Sequence, residues 1–516
     1  MKSPIPHLFS FAFGVLFLVM LYTIPLAAQP PPLEEFDAYV QKVVQDWEVP
    51  GLTITVVKDG DVVFAKGYGV RTLGTSTPVD IHTLFAIGST TKAMTAAGIG
   101  MLVDEGKLHW DDPVTKHLPS FQLYDPYVTR EVTVRDLLTH RAGLGNADFL
   151  WYEQENSTRE ILHRLLYLKP QTSMRSQFIY QNIMYVAAGE VIEAVSGIPW
   201  ADFIQTRILT PLGMTETIPT AATLAQQSNV ASPHSKIEGI VRVINNASVD
   251  SVAAAGAIWS SVNDMSQWMR FLLNGGRTDE GQPLLSDHTL NELFTPQTIV
   301  GTGAFYPTAK LTHPHWMTYG LGWFQADYQG WAVDFHTGSI DGMVAIIGLI
   351  RDENLGVYVL ANLDHAEVRH ALMYRAFDLY GSTPPRDWSI EFKKLYTDRT
   401  AEREAERKKI EEERVTGTRP SLPFEHYAGT YADPLYGTVG VTYDGHLRFS
   451  YGPKRIGPLE HWHYDTFRVQ WEARWRGSAF VSFSLDRKGR PFLLDMEGLQ
   501  FRRIETDEDK TVNSEQ

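Results

Sequence analysis

The sequence predicts a mixed α/β (α+β) protein in two parts: a sheet flanked by helices, then a smaller all-β domain. Three observations lead to this prediction. Long apolar runs such as Val344–Ile350 and Val357–Ala361 are typical of central strands in a sheet covered on both faces. Segments with apolar residues at helical spacing flank these runs along the chain. Short strands separated by polar turns follow from Tyr427 to Ile504.

The composition is that of a globular protein and excludes several classes of function. The chain has 516 residues, 43% hydrophobic and 21% charged, which is enough for two or three domains. Its formal net charge of -15 argues against nucleic acid as the main partner, because no basic cluster offsets phosphate repulsion. The chain contains no cysteine, so disulfides, thiolate metal sites and cysteine nucleophiles are excluded, and we expect no metal or other cofactor.

The first residues have the pattern of an export signal. Lys2 precedes an apolar run from Leu8 to Leu21, and small residues end this segment at Ala27 and Ala28. The pattern predicts a signal peptide over residues 1–28, and therefore an exported bacterial protein, periplasmic or secreted. If the segment is not cleaved, it is long enough to remain in the bilayer as a membrane anchor.

The body of the chain begins with a helix and a hairpin. Apolar residues at helical spacing predict a first helix from Leu33 to Trp47, which Pro50-Gly51 ends. Two β-rich runs follow, Leu52–Lys58 and Val62–Gly69. They are joined by Asp59-Gly60, a dipeptide typical of a tight hairpin turn.

A serine and a lysine mark the start of the next predicted helix, in Gly88-Ser89-Thr90-Thr91-Lys92. Small and apolar residues from Ala93 to Leu102 favour a buried helix. If Ser89 begins it, Lys92 lies one turn along on the same face. An amine held out of bulk water loses its proton more readily and can take one from the serine hydroxyl. Taken alone, an N-cap serine and a solvated lysine are the better interpretation, because Ser-x-x-Lys recurs by chance.

A tyrosine and an asparagine form the next informative pair. The segment Val132–His140 predicts a short helix, and Ile183–Val195 predicts a longer one. Tyr180 and Asn182 lie two residues apart before the longer helix, on a segment that we expect to be extended, so their side chains point the same way. The plain interpretation is a packed tyrosine and a helix cap. Capping uses the asparagine oxygen and leaves the amide nitrogen free for a substrate.

The last part of this domain is rich in strands. We predict strands over Leu321–Phe324, Val333–His336, Val344–Ile350 and Val357–Ala361, closed by a helix from Ala366 to Leu379. The sequence His336-Thr337-Gly338-Ser339 falls at a strand end. A glycine there lets a ligand approach the backbone, and free N–H groups can hold a developing oxyanion. Taken alone, a His-Thr-Gly sequence at a strand end is typical of an ordinary turn.

Taken together, these motifs resemble a known superfamily. Ser89-x-x-Lys92, Tyr180-x-Asn182 and His336-Thr337-Gly338, in that order, resemble the class C β-lactamases and penicillin-binding proteins, most closely the CubicO group of esterases and peptidases. Thr133–Leu144 and Ala255–Ser261 resemble two further signatures of that group. The resemblance covers residues 33–381. It implies a β-lactamase/transpeptidase-like antiparallel sheet flanked by helices, with a helical subdomain.

The resemblance also implies catalytic roles. Ser89 attacks a carbonyl and forms an acyl-enzyme, and Lys92 and Tyr180 share proton transfer, with Tyr180 favoured as the general base. A free tyrosine titrates near pH ~10, so this role requires a cationic neighbour such as Lys92. How the base role is divided between these two residues stays open.

The implied substrate-binding residues are Asn182, His336, Thr337, Gly338 and Ser339. Asn182 orients the acyl side chain of the substrate, and the backbone N–H groups of Ser89 and Ser339 form an oxyanion hole. Relatives that act on β-lactams or D-Ala-D-Ala usually carry lysine at the position of His336. Histidine is mostly neutral near pH 7, so this chain favours uncharged esters, amides or peptides.

Beyond Pro384-Pro385 the amino-acid composition of the chain changes. Residues 382–423 are dense in Glu, Lys and Arg, which predicts an exposed helical linker.

Residues 424–505 predict a barrel or sandwich and resemble the lipocalin-like domain appended to CubicO hydrolases. We expect it to pack on the catalytic domain or to mediate homo-oligomer formation, and so to limit substrate entry. His461 and His463 lack a third metal ligand and favour strand packing. Residues 506–516 predict a disordered acidic tail.

Three functions follow as hypotheses. The leading one is an exported serine hydrolase that cleaves a small ester, amide or peptide substrate through an acyl-enzyme at Ser89. The second is a penicillin-binding-type D-Ala-D-Ala peptidase or β-lactamase. The third is a catalytically silent binding or sensor protein of the same fold. The presence of Ser89, Lys92 and Tyr180 together argues against the third.

Overall fold

The computed structural model describes Met1, residues 33–382, Pro384 and residues 386–504. The predicted signal peptide, apart from Met1, and the predicted acidic tail lie outside these residues. Within the described ranges, every helix is too short or too polar to cross a membrane.

Helices surround a central sheet in the part of the chain before residue 382. Its described helices are, in chain order, α1 (Leu33–Asp46), α2 (Thr91–Asp104), α3 (Val114–His117), α4 (Pro126–Glu131), α5 (Val134–Leu137), α6 (Thr158–Arg164), α7 (Ile183–Ser196), α8 (Trp200–Ile204), α9 (Ala253–Gly256), α10 (Val262–Leu273), α11 (Asp287–Leu293), α12 (Ala309–Thr312) and α13 (Val368–Asp378). Its described strands are β1 (Gly51–Lys58), β2 (Asp61–Gly69), β3 (Phe85–Ala86), β4 (His234–Ile237), β5 (Ile240–Val243), β6 (Trp259–Ser260), β7 (Thr298–Ile299), β8 (Met317–Tyr319), β9 (Phe324–Tyr328), β10 (Trp331–Ile340), β11 (Met343–Ile350) and β12 (Leu355–Ala361).

The central sheet has eight strands in the order β2-β1-β12-β11-β10-β9-β8-β7, and its neighbouring strands pair antiparallel. Side chains alternate between two hydrophobic cores along β11, with Val344 and Ile346 in one core and Ala345 and Ile347 in the other. Helix α10 packs against β1 and β12, and α13 packs against β11 and β12. Because α10 belongs to one core and α13 to the other, both faces of the sheet are covered, which confirms the predicted fold class.

Several predicted elements are present with nearly the predicted bounds. The first helix is α1, the helix after Asn182 is α7, and the closing helix is α13. The hairpin turn has positive φ at both central residues, 52° at Asp59 and 87° at Gly60, as the Asp-Gly signal predicts. The short helix predicted over Val132–His140 is limited to α5, and His140 turns the chain with a φ of 54°.

Two strand predictions were wrong in extent. Residues 321–323 form a bend, because Gly322, with a φ of 89°, brings the backbone against the start of α2 near Ala93. The residues His336 to Ser339 do not follow a strand end. They lie within β10, because pairing with β11 continues to Ile340 opposite Met343.

The helical part on one side of the sheet is built around α2. Residues Thr91 to Leu102 of this helix are all buried, so it is covered on every side. A Cβ added at Gly98 would lie 3.2 Å from both Ile192 and Phe203, so this glycine allows α7 and α8 to approach closely. The buried helix predicted after Ser89 is therefore confirmed.

A long charged helix leads to the second domain. Helix α14 (Trp388–Glu412) is buried only at Trp388, Ser389 and Phe392 among its described residues. The strands that follow are β13 (Gly429–Asp433), β14 (Gly437–Tyr443), β15 (Leu447–Tyr451), β16 (Arg455–His463), β17 (Thr466–Gln470), β18 (Ser478–Leu485), β19 (Pro491–Met496) and β20 (Leu499–Arg503). They form a closed barrel in chain order. The barrel packs against the first domain, with Phe149 contacting its hydrophobic core.

Candidate active site

Ser89 lies at the entry to the buried helix. The chain leaves β3, which pairs with β6, and a single 3₁₀ turn over Gly88–Thr90 runs into α2. Gly88 has a φ of 53°, and a Cβ there would lie 2.6 Å from the backbone nitrogen of Ser339. A glycine is therefore required at this position. Ser89 is half-buried and faces a cleft, whereas Thr90 next to it is buried.

Lys92 is fully buried and contacts Ser89 directly. Its Nζ lies 2.9 Å from Ser89 Oγ, 2.8 Å from Asn182 Oδ1 and 2.8 Å from the carbonyl oxygen of Ala255. Burial lowers the pKa of Lys92 from 10.5 to about 7, and the nearby Asp148 carboxylate opposes this shift. The interpretation as a solvated lysine is excluded. A neutral Lys92 can accept a proton from Ser89 while donating to the other two oxygens.

Tyr180 lies close to both Ser89 and Lys92. Its side chain hydrogen-bonds with that of Ser89, and its ring centroid is 5.1 Å from Lys92 Nζ. Burial raises the pKa of Tyr180 well above its ordinary value, and the bond with Ser89 offsets this only in part. Tyr180 is therefore a neutral phenol in the free protein.

His140, to which no sequence pattern assigned a separate role, holds the Tyr180 segment. Its ring packs on Tyr180 with the centroids 4.3 Å apart. Its carbonyl oxygen accepts from the Ile179 N–H at 2.8 Å, and its Nδ1 accepts from the Gln181 N–H at 3.3 Å. The residues on both sides of Tyr180 are thus fixed by one buried histidine. The motif around Thr139-His140-Arg141 was recognised only as a signature, without this role.

Asn182 connects Lys92 to an acidic residue. The prediction that its side chain caps α7 is wrong, because Asn182 is the N-cap residue but makes no side-chain capping bond. Its Oδ1 instead accepts from Lys92, and its Nδ2 donates to Asp148 Oδ1 at 3.1 Å. The buried amine is the stronger partner for this oxygen. Asp148 carried no signal in the sequence.

His336 is buried within β10. Its Nδ1 is 2.7 Å from the Thr337 carbonyl oxygen and therefore carries the proton, so its Nε2 accepts from the Tyr319 hydroxyl at 3.0 Å. Burial and the charge of Lys92 lower the pKa of His336 to about 3. The ring is neutral and both nitrogens are bonded within the protein. Its predicted substrate-binding role is therefore reduced to support of the strand.

The strand β10 passes beside the Ser89 turn. Pairing of β10 with β9 ends at Phe335, so the following residues face the turn. A Cβ on Gly338 would overlap the Ile87 carbonyl oxygen and lie 3.2 Å from the Ser89 nitrogen. The buried Arg369 donates to the Gly338 carbonyl oxygen and, at 3.0 Å, to Ser339 Oγ. The backbones of Ser89 and Ser339 thus meet, as an oxyanion hole requires.

These elements enclose a cleft of about 430 Å³. Five predicted residues line it, namely Ser89, Tyr180, Asn182, Thr337 and Ser339. The other lining residues are Phe178, Ala304, Tyr306 and Phe324. The three aromatic residues, Phe178, Tyr306 and Phe324, were missed because segments far apart in the chain bring them together. All nine lining residues are uncharged, and the Tyr306 hydroxyl lies 2.6 Å from Thr337 Oγ1.

The chain is similar to known families and proteins. A family model described as Beta-lactamase matches residues 36–380, and one described as a domain of unknown function, DUF3471, matches residues 413–511. Unguisins hydrolase ungD of Aspergillus violaceofuscus is 29% identical over 454 residues, which are 80% of this chain and 77% of that protein. Protein flp of Staphylococcus aureus is 26% identical over 339 residues, 64% of this chain and 63% of that protein.

Solved structures share the fold. The octameric penicillin-binding protein homologue from Pyrococcus abyssi aligns with a TM-score of 0.58 and 22% identity, over 92% of this chain and 100% of that one. The alignment therefore includes the C-terminal part as well as the sheet and helices.

Proposed function

The chain belongs to the beta-lactamase family, and from this premise we propose that it is a serine hydrolase that cleaves uncharged ester, amide or peptide bonds through an acyl-enzyme at Ser89. The observation that carries the proposal is the buried amine of Lys92, 2.9 Å from Ser89 Oγ. Within the family we assign the chain to the CubicO group of class C-like enzymes, and residues 424–505 to a lipocalin-like domain. The ordered motifs and the closed barrel support these assignments.

Lys92 is the proton acceptor in acylation. Its pKa of about 7 leaves roughly half of the amine neutral at neutral pH. As Ser89 Oγ bonds to the substrate carbonyl carbon, its proton passes to Lys92 Nζ. Asn182 Oδ1 and the Ala255 carbonyl oxygen accept hydrogen bonds from the resulting ammonium. Lys92 thus replaces Tyr180 as the favoured base.

Tyr180 is the proton donor to the leaving group. Because its pKa is raised well above its ordinary value, it keeps its proton until the leaving group develops negative charge. The ammonium of Lys92 then restores that proton, so the pair returns to its starting protonation state when the acyl-enzyme forms. In hydrolysis of the acyl-enzyme, water takes the place of the leaving group and the same transfers run in reverse.

The backbone N–H groups of Ser89 and Ser339 stabilise the oxyanion in both steps. Single donors of this kind contribute about 3 kcal/mol to transition-state stabilisation in other enzymes. The overlap that a side chain at Gly338 would cause with Ile87 supports a strand held tightly against the nucleophile turn. Arg369 keeps that strand in place from below.

The lining of the cleft supports an uncharged substrate. Its nine residues carry no charge, and Phe178, Tyr306 and Phe324 provide apolar surface for an acyl group. A β-lactam or a D-Ala-D-Ala end carries a carboxylate, whose usual partner is a lysine. This chain has the neutral His336 in that place. The D-Ala-D-Ala peptidase and β-lactamase functions are therefore disfavoured.

Export and self-association are further proposals. The apolar run from Leu8 to Leu21 supports export to the periplasm or the medium, and cell fractionation tests it. The octameric assembly named for the Pyrococcus abyssi homologue supports self-association of this chain, which we expect to use the barrel, and light scattering of the full chain tests whether it associates.

The experiment that tests the proposed function compares wild type with Ser89→Ala on p-nitrophenyl esters, nitrocefin and D-amino-acid peptides. We expect ester hydrolysis by wild type and a loss of at least about 10³-fold in Ser89→Ala, with unchanged circular dichroism. Ser176→Ala, at an exposed loop serine, is the matched control. Turnover near wild type in Ser89→Ala would exclude Ser89 as the nucleophile. Preferred cleavage of nitrocefin or the peptides would favour the second function.

A further inference from the structure

The C-terminal barrel contacts the loop that carries Asp148, next to the active site. We propose that the barrel is a positioning element for catalysis, holding the segment Asp148–Gln154 so that Asp148 anchors the Asn182–Lys92 pair. This inference rests on the proposed function, because it concerns the efficiency of the same reaction. It goes beyond it by giving the second domain a defined task within one molecule.

The inner half of the connection runs from Asp148 to Ser89. Asp148 Oδ1 accepts from Asn182 Nδ2 at 3.1 Å and from Trp151 Nε1 at 2.9 Å. Asn182 Oδ1 accepts from Lys92 Nζ, which in turn lies 2.9 Å from Ser89 Oγ. A shift of Asp148 therefore changes the orientation of the amide that holds the amine.

Asp148 also sets the charge balance at Lys92. The titratable groups that face Lys92 are Asp148, His140, His336, Tyr180 and Tyr185. Burial lowers the pKa values of the two histidines and raises those of the two tyrosines, so all four are neutral near pH 7. Asp148 is the carboxylate of this set, and it favours the ammonium form of Lys92. Withdrawing Asp148 would lower the pKa of Lys92 further.

The outer half of the connection runs from Phe149, the residue after Asp148, to the barrel. The Phe149 side chain packs against the hydrophobic core of the barrel. Its carbonyl oxygen accepts from the Tyr451 hydroxyl at 2.7 Å, and the guanidinium of Arg455 lies 4.5 Å from its ring centroid. Side chain and backbone of Phe149 are thus both held by the barrel.

An ion pair reinforces the same segment. Arg455 Nε lies 3.1 Å from Glu153 Oε2, and the two side chains are only 13% and 4% exposed. Arg476 of the barrel also pairs with Glu153. Buried pairs of this kind are costly to break on one side, because the remaining charge is left without a partner. The contact therefore resists separation of the two domains.

The barrel also contacts the turn that follows the strand carrying Ser339. Asp341 lies two residues beyond Ser339, at the turn after β10. It pairs with Arg476 at 3.3 Å and accepts from the Tyr152 hydroxyl. The strand that carries Ser339 and the loop that carries Asp148 are thus braced by the same domain.

The experiment uses the full-length protein, and two of its substitutions loosen the barrel contact without changing a residue of the first domain. Arg455→Met removes the guanidinium but keeps apolar cover over Phe149, and Tyr451→Phe removes one hydroxyl. Arg448→Met is the matched control, because Arg448 lies on the neighbouring strand β15 and pairs with Glu472 on the barrel surface. Circular dichroism checks that each variant is folded. Asp148→Asn is the internal reference, since it removes the charge and keeps an acceptor for Asn182.

Two readouts are measured. Hydrogen–deuterium exchange over residues 148–154 reports whether the barrel holds the loop, whatever the activity of the protein. The pH dependence of ester hydrolysis reports the state of Lys92. For the double variant Arg455→Met/Tyr451→Phe we expect faster exchange and about a tenfold lower kcat at pH 8. The rise of the hydrolysis rate with pH, here called the acid limb, should move to lower pH. Asp148→Asn should shift the limb in the same direction, and Arg448→Met should match wild type in both readouts.

The outcomes separate this proposal from the proposed function. Exchange in the double variant equal to that of Arg448→Met would overturn the positioning role even if Ser89 is the nucleophile. Faster exchange with wild-type kcat and pH profile would overturn it as well, because the loop would then move without consequence. Failure of the proposed function appears elsewhere, as full turnover in Ser89→Ala.

Discussion

The buried amine of Lys92 predicts how the reaction rate depends on pH. Its pKa is lowered from 10.5 to about 7, and only the neutral amine can accept the Ser89 proton. About one amine in ten is neutral at pH 6 and about nine in ten at pH 8, because the ratio of the two forms changes tenfold per pH unit. We therefore expect kcat/KM to rise about tenfold between pH 5 and pH 6 and to level off above pH 8.

The assay is pH-stat titration of the acid released from an uncharged ester, with wild type and Lys92→Met. Methionine has a similar length and cannot accept the proton. We expect kcat/KM of this variant to be about 10³-fold lower, within the range for general bases, and its residual rate not to rise with pH near pH 7. If another group were responsible for the rise, the rise would remain in Lys92→Met.

Unfolding measurements test the same ionisation without a substrate. The pKa of Lys92 is lower in the folded protein than in the unfolded chain, so the unfolded chain binds more protons between about pH 7 and pH 10.5. The free energy of unfolding of wild type should therefore increase with pH across this window. Relative to Lys92→Met, the expected increase between pH 6 and pH 9 is about 2.5 kcal/mol, at about 1.4 kcal/mol per pKa unit. Urea unfolding of the first domain at both pH values provides the measurement.

Two results would refute the reasoning. One is a kcat/KM profile that is flat between pH 5.5 and pH 8.5, or that rises only near pH 10. The other is a stability difference between wild type and Lys92→Met that does not change with pH. Either would mean that Lys92 does not titrate near pH 7 as the acceptor of the Ser89 proton.

Three other substitutions test the geometry around the nucleophile by steady-state kinetics. Gly338→Ala places a Cβ against a carbonyl oxygen of the nucleophile turn, so we expect kcat to fall more than about 100-fold, whereas Gly301→Ala meets nothing within 4 Å and should keep the wild-type rate. Arg369→Met removes a buried donor to the strand that carries the oxyanion amide; kcat should fall about tenfold with KM nearly unchanged, and an unchanged kcat would remove this support role. His140→Phe keeps an aromatic ring on Tyr180 but loses the Nδ1 acceptor; about a tenfold lower kcat is expected, and His140→Asn should recover part of it.

Local patterns were sufficient where one short segment determines the structure. The hairpin followed from Asp59-Gly60, because both residues must adopt positive φ. The strands β11 and β12 followed from continuous apolar runs, because both faces of the sheet are covered. These features need no knowledge of the rest of the chain.

Features that depend on distant partners could not be predicted. Asp148 and Phe149 gain their roles from Asn182 and from a domain about three hundred residues later, so no local pattern marks them. Asn182 was expected to cap a helix because the competing amine comes from another element.

The closure of the C-terminal strands limits how this domain can meet other molecules. Since β20 returns to pair with β13, every strand within residues 429–503 has a neighbour on both sides. An open sheet offers a row of unpaired N–H and C=O groups that another polypeptide can extend, and a ring of strands does not. Recognition by this ring must therefore use side chains and turns, so single replacements in its turns can change what it contacts while the ring itself stays intact.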